Sequence, residues 1–106
     1  MKRIVDSGGN VFADLELPNA DELQARAALT HRIYRMIKKR GFTQSVAAAR
    51  LGVKQPDVSR LMRGQYTRFS TERLIRMIKA LGHDVEISVK QAPRSRGTGR
   101  VVVANA

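Results

Sequence analysis

Two short apolar runs on either side of Gly52 constrain the fold of this chain more than any other feature. The first run follows Thr43, a residue type that caps helix N-termini well. The second carries Pro56, which fits the first turn of a helix because proline lacks the backbone N–H that would be unpaired there. Both runs are too short to form stable helices alone. The pattern therefore predicts two helices, over residues 44–51 and 55–63, that are joined by a tight glycine turn and depend on packing.

Two longer segments with apolar residues at helical spacing flank this pair. Residues 21–40 predict a first helix, with acidic residues in its first turn and basic residues in its last, as the helix dipole favours. A fourth helix is predicted to start at Ser70 and to end at Gly82. The residues predicted to face inward are Leu29, Ile33, Met36, Ile37, Val46, Ala47, Leu51, Val58, Leu61, Met62, Leu74, Met77, Ile78 and Leu81.

After Gly82 the apolar pattern changes from helical to alternating. Val85, Ile87 and Val89 alternate with polar residues, and such alternation predicts a half-buried β-strand. A lone strand has unpaired backbone groups at its edges, so we expect it to pair with the same strand of a second copy. Val85, Ile87 and Val89 are therefore the predicted dimer contacts.

Turn residues and composition divide the chain into three parts. Residues 1–19 predict an N-terminal arm with a short extended piece at 11–15, because turn sequences surround it. Residues 20–90 predict the single folded domain, and residues 91–106 a flexible basic tail. The expected fold is mostly α, a compact bundle of four to five helices followed by one C-terminal strand.

The charge distribution favours a polyanionic partner. The chain carries 20 Lys and Arg against nine Asp and Glu, for a net charge of +11. Residues 32–68 hold ten basic residues and one acidic residue, whereas the flanking segments 1–31 and 69–89 are acidic or neutral. Such a block suits nucleic acid. From charge alone, a solvated basic surface fits as well.

The third predicted helix has one face without apolar core residues. Along this face, residues recur at the i, i+3, i+4, i+7 spacing from Pro56 to Arg63. Lys54 and Gln55 extend the face at the start of the helix. A helix of this kind fits the major groove of B-DNA, where Gln can form two hydrogen bonds with adenine and Arg two with guanine. We expect Asp57 to point away from the groove or to hold a neighbouring arginine, and a direct contact with cytosine is the alternative. The predicted DNA contacts on this face are Lys54, Gln55, Pro56, Ser59, Arg60 and Arg63.

The segment GVKQPDVSRLMRG resembles the helix-turn-helix of the Cro/cI-like XRE superfamily, whose usual form is GVSQPxVSxLLRG. In this resemblance Gln44 opens the second helix, Gly52 makes the turn, and Val58 and Leu61 fill the core. One departure is Lys54, where many members have a helix-capping serine. The resemblance implies a lambda-repressor-like fold. Two residues at the start of the second helix complete the predicted DNA contacts, Thr43 and Gln44.

The sequences around this motif, GNVFADLELPNADEL and FSTERLIRMIKALGHDVEISV, resemble the HigA-type antitoxin subgroup, so the likeness covers residues 9–90. The resemblance implies a homodimer that binds a palindromic operator, often its own promoter, and a RelE/HigB-like toxin as partner. A stand-alone XRE repressor would have the same DNA-reading residues. An RNA-binding or protein-interaction module is a further alternative, although the sequence lacks an aromatic platform for base stacking.

Enzymatic, metal and cofactor chemistry are not predicted. His31 and His83 lie far apart without carboxylates at ligand spacing. The candidate nucleophiles Thr43, Ser59 and Ser70 have no positioned base. The absence of cysteine agrees with a cytoplasmic location. No apolar run is long enough to span a bilayer, and the first helix needs its apolar stripe for the core rather than for a membrane surface.

Overall fold

Four α-helices make up most of residues 20–104, the part of the chain that the computed structural model describes. All four predicted helices are confirmed, with bounds close to the expected ones. The N-terminal arm, including its extended piece at 11–15, lies outside the described residues. The helices are α1 (Ala20–Arg40), α2 (Gln44–Leu51), α3 (Gln55–Met62) and α4 (Thr71–Ala80), with short 3-10 turns at Tyr66–Arg68 and Arg94–Arg96.

Side-chain caps and one glycine set the bounds of the short helices. The Thr43 hydroxyl accepts a hydrogen bond from the Val46 N–H at 3.2 Å, and the Ser70 hydroxyl caps α4 in the same way. Gly52 ends α2 with a φ of 68°, a left-handed conformation that costs glycine little. Lys54 precedes α3 without a side-chain cap, as its place in the motif predicts.

The core is formed by residues from all four helices together with Phe69 and Leu81, which flank α4. α1 packs on α4 and on the first 3-10 turn, while α2 and α3 pack on each other. The guanidinium of Arg40 donates to the Leu81 carbonyl at 2.6 Å, which fixes the end of α4 to the end of α1. The buried cluster contains Leu29, Ile33, Ile37, Ala47, Ala48, Leu51, Val58, Leu61, Phe69, Leu74, Met77, Ile78 and Leu81.

Val46 is not a core residue, contrary to the prediction, since it is 44% exposed. The inward face of α2 is occupied by Ala47, Ala48 and Leu51. Successive residues of an α-helix are about 100° apart, so Val46 is turned away from that face. Met36 and Met62 lie at the edge of the core and are partly buried.

The predicted C-terminal β-strand is wrong: no strand is present within residues 20–104. Val85 packs against the core, but Ile87 and Val89 are 79% and 94% exposed. No backbone hydrogen bond joins residues 84–89 to another described segment. Alternation decides which side chains share a face, whereas a strand also needs a second backbone to accept and donate hydrogen bonds.

The last described residues return to the first helix. The Val101 N–H donates to a carboxylate oxygen of Asp21 at 2.6 Å. The Arg32 guanidinium donates to the carbonyl of Ala104, and Val103 packs against the core. The segment that follows α4 thus contacts the helical domain at residues 101–104.

We expect the two valines of the helix pair to differ in their effect on stability. Val58 is fully buried, so Val58→Ala should lower the free energy of unfolding by about 2 kcal/mol through lost apolar burial and the cavity left behind. Val46→Ala is the matched control and should change it by less than about 0.5 kcal/mol because Val46 is exposed. Urea denaturation measures both values, and equal losses would contradict the inward orientation of Val58.

Candidate nucleic-acid interface

The eight predicted DNA contacts lie on α3 and around the start of α2. Six of them are exposed, and Ser59 and Arg60 are half-buried where α3 turns toward the rest of the domain. The opposite face of α3 is anchored by Val58 and Leu61, both fully buried. The polar side of the helix is therefore available to a ligand while its apolar side is held. The exposed six are Thr43, Gln44, Lys54, Gln55, Pro56 and Arg63.

A polar contact joins the first turns of α2 and α3. The Ser45 hydroxyl donates to the amide oxygen of Gln55 at 3.4 Å. At the other end of α2, the Val53 N–H donates to the Ala48 carbonyl at 3.1 Å and closes the glycine turn. Both N-termini thus lie on one side of the domain. Because helix N-termini carry partial positive charge, this side suits phosphate groups.

Asp57 is held between two arginines from different helices. Its Oδ1 accepts from Arg60 Nη1 at 2.9 Å and its Oδ2 from Arg73 Nη2 at 2.7 Å. The guanidinium carbon of Arg73 lies 5.2 Å from the centroid of the buried Phe69 ring. The pKa of Asp57 is lowered, mainly by the hydrogen bond from Arg73 and to a smaller extent by Arg60. Partial desolvation of the carboxyl group opposes this shift. The carboxylate is thus charged at neutral pH.

The hydrogen bond between Asp57 and Arg60 agrees with one of the three roles predicted for Asp57, that of holding a neighbouring arginine. Arg73 was not predicted, because it lies 16 residues away on another helix. One signal could have suggested it. A basic residue in the first turn of α4 opposes the helix dipole, so its presence there indicates a nearby carboxylate.

A second group of basic side chains surrounds Phe42 in the turn between α1 and α2. The guanidinium carbons of Arg40 and Arg50 lie 5.7 and 5.5 Å from the centroid of its ring. Cation–π contacts of this kind orient the two positive charges. The sequence alone does not indicate this group of side chains, since the contacts depend on how α1 and α2 meet.

Within residues 20–104, no group of three or more His, Cys, Asp or Glu side chains could hold a metal ion. His31 stacks on Tyr34, with ring centroids 6.1 Å apart, and His83 is exposed.

None of the helices in the described part of the chain combines the length and the apolar character needed to cross a membrane.

The short α2, the glycine turn and the exposed polar face of α3 define a helix-turn-helix protein. A family model described as a helix-turn-helix domain matches residues 11–90. A solved structure described as an XRE family transcriptional regulator is 40% identical, with a TM-score of 0.75 over 84% of this chain and 100% of that chain. The chain therefore belongs to the XRE family of helix-turn-helix proteins, as its motif predicts. No significant match is found among curated proteins.

The ion pairs of Asp57 predict a pH-dependent contribution to stability. A carboxyl whose pKa is lowered in the folded state stabilises the fold above its unfolded-state pKa of about 3.8 and loses this effect as pH falls through the folded-state value. Asp57→Asn should therefore lower the free energy of unfolding at pH 7 by about 1 kcal/mol or less, the range of exposed ion pairs. The difference from wild type should disappear in stronger acid. Urea denaturation at pH 7 and at low pH measures it, and a pH-independent difference would contradict an electrostatic origin.

Proposed function

We propose that this protein is a sequence-specific transcription regulator that binds double-stranded DNA with α3 in the major groove. The observation that carries the proposal is the division of α3 into a buried apolar face and an exposed polar face. Val58 and Leu61 fix the helix to the bundle, while Gln55, Ser59 and Arg60 face away from the bundle core. A rigidly held helix of this kind can read base edges because its side chains start from fixed positions.

Each polar residue of the surface has a role that follows from its chemistry. Gln55 can make a bidentate contact with adenine and Arg60 with guanine, and Ser59 can bond a base edge or a phosphate. Thr43, Gln44, Lys54, Pro56 and Arg63 flank them, and we assign these five residues to contacts with the DNA backbone and groove walls, which position the domain.

The placement of the two described phenylalanine rings argues against RNA binding. Single-stranded RNA is read by stacking bases on exposed aromatic side chains. Phe69 is buried in the core, and Phe42 is partly buried between two arginines. These two rings therefore offer no platform on which successive bases could stack.

We infer that the regulator acts as a homodimer on a palindromic operator. Ile87 and Val89 support this inference because both apolar side chains project into solvent, while Val85 holds the segment on the core. Covering such side chains with a second copy would remove apolar surface from water. Sedimentation velocity should show a dimer at micromolar concentration that Ile87→Ser weakens. A wild-type monomer would contradict the inference.

We further propose that the protein is the autoregulating antitoxin of a toxin–antitoxin pair, with a RelE/HigB-like toxin as partner. The support is the resemblance of the segments on both sides of the motif to HigA-type antitoxins. Capture of the protein from its native cells should recover a small basic protein encoded by the adjacent gene. Recovery of the protein without such a partner would favour a stand-alone repressor.

Arg60→Ala should weaken binding to the preferred operator by about 1–3 kcal/mol and relax the base preference at one position. Lys39, an exposed residue near the end of α1, provides the control. If its ammonium group meets a phosphate, Lys39→Ala should weaken all duplexes alike and reduce the salt dependence of log K by about one unit. Fluorescence anisotropy with operator and scrambled duplexes measures both effects. Equal effects of the two substitutions on both duplexes would contradict major-groove reading by Arg60.

A further inference from the structure

We propose that Asp57 and Arg73 act together as positioning residues that set the base preference of Arg60 without contacting DNA bases themselves. This inference rests on the proposed function of α3. It assigns to α4, which lies outside the helix-turn-helix, a part in determining which sequence is recognised.

The geometry shows why Asp57 needs Arg73. Asp57 and Arg60 are three residues apart on one helix, and an isolated pair of this kind at a partly exposed surface orders its side chains weakly. Arg73, which lies on α4, donates a hydrogen bond to the second carboxylate oxygen of Asp57 at 2.7 Å. Because each carboxylate oxygen accepts from a different arginine, the carboxylate cannot use both oxygens to form a bidentate ion pair with Arg60.

Arg73 is itself held in place from two sides. Its backbone N–H donates to the Ser70 hydroxyl at 3.1 Å as part of the helix cap. Its guanidinium lies over the face of Phe69, which is buried in the core. The position of Arg60 is thus connected through Asp57 and Arg73 to a fixed point in the core.

This arrangement leaves Arg60 able to bind a base. A guanidinium has five N–H donors in one plane, and the contact with Asp57 uses Nη1. The Arg60 side chain is 37% exposed. An arginine fixed in this way can present its other donors to the O6 and N7 of guanine with little further loss of side-chain freedom.

The charge of Asp57 provides a second, independent observation. Asp57 is the sole acidic residue between residues 32 and 68, on the surface that we expect to approach phosphates. A carboxylate there weakens binding to every duplex by repulsion. If Asp57 orients Arg60, its removal should therefore raise affinity for unrelated DNA and lower discrimination between sequences, two effects of opposite direction.

The first experiment measures Arg60 in the free, full-length protein by the ¹⁵N relaxation of its Nε–Hε group. We expect an ordered Arg60 side chain in wild type and a mobile one in Asp57→Asn and Arg73→Gln. Arg76→Gln removes the same charge from an exposed site on α4, and Glu72→Gln removes an exposed carboxylate from the same helix. Both controls should leave Arg60 ordered.

The second experiment measures discrimination with a duplex selected from a random library by the wild-type protein. The second duplex differs from it by one base pair, at the position where Arg60→Ala loses its base preference. The ratio of the two affinities should fall about tenfold in Asp57→Asn and in Arg73→Gln, because a bidentate base contact is worth roughly that much. Arg76→Gln should keep the ratio. Arg73→Lys keeps the charge but lacks the planar fork, so it should restore overall affinity without restoring the ratio.

The outcomes separate this inference from the proposed function. An unchanged Arg60 order in both variants, or an unchanged affinity ratio in both, would overturn the positioning role even if the protein recognises a specific operator. If the wild-type protein selects no DNA sequence, the proposed function fails. If Arg60 is then still ordered in wild type and mobile in both variants, the Asp57–Arg73 contact orders the Arg60 side chain but has no role in sequence recognition.

Discussion

Burial of the inner side of α3 is the interaction on which the rest of this structure depends. Helices of eight residues do not persist alone in water, so α2 and α3 exist because Ala47, Leu51, Val58 and Leu61 leave solvent together. The longer α1 and the strongly amphipathic α4 supply the opposing surface. One set of contacts therefore creates the helix pair and fixes the direction in which its polar residues point.

Much of the fold could be predicted from the sequence because its signals are local. Thr43, Gly52, Pro56 and Ser70 act on neighbouring backbone groups, so they mark helix ends without any knowledge of the tertiary structure. Local signals do not settle the orientation of Val46: it lies within an apolar run, but the face that α2 buries is decided by where α3 and α4 pack against it.

The absence of the predicted strand and the unpredicted contact of Arg73 both depend on partners that are distant in sequence. Alternation at Val85, Ile87 and Val89 describes a possible strand face, yet a strand forms only beside another backbone, which the described chain does not provide. The exposed face of α3 was predictable from helical spacing, whereas its connection to Arg73 was not, because that contact follows from the packing of Phe69 and the start of α4.

The return of residues 101–104 to α1 has a consequence for how the domain opens. Asp21 lies in the first turn of α1, where helices fray most easily, and its carboxylate accepts the Val101 N–H. Fraying of that turn therefore frees the Val101 N–H, while the Arg32–Ala104 hydrogen bond and the packing of Val103 still hold the rest of the segment. Hydrogen exchange at the Val101 amide therefore reports on fraying of a helical turn that is 80 residues away in sequence.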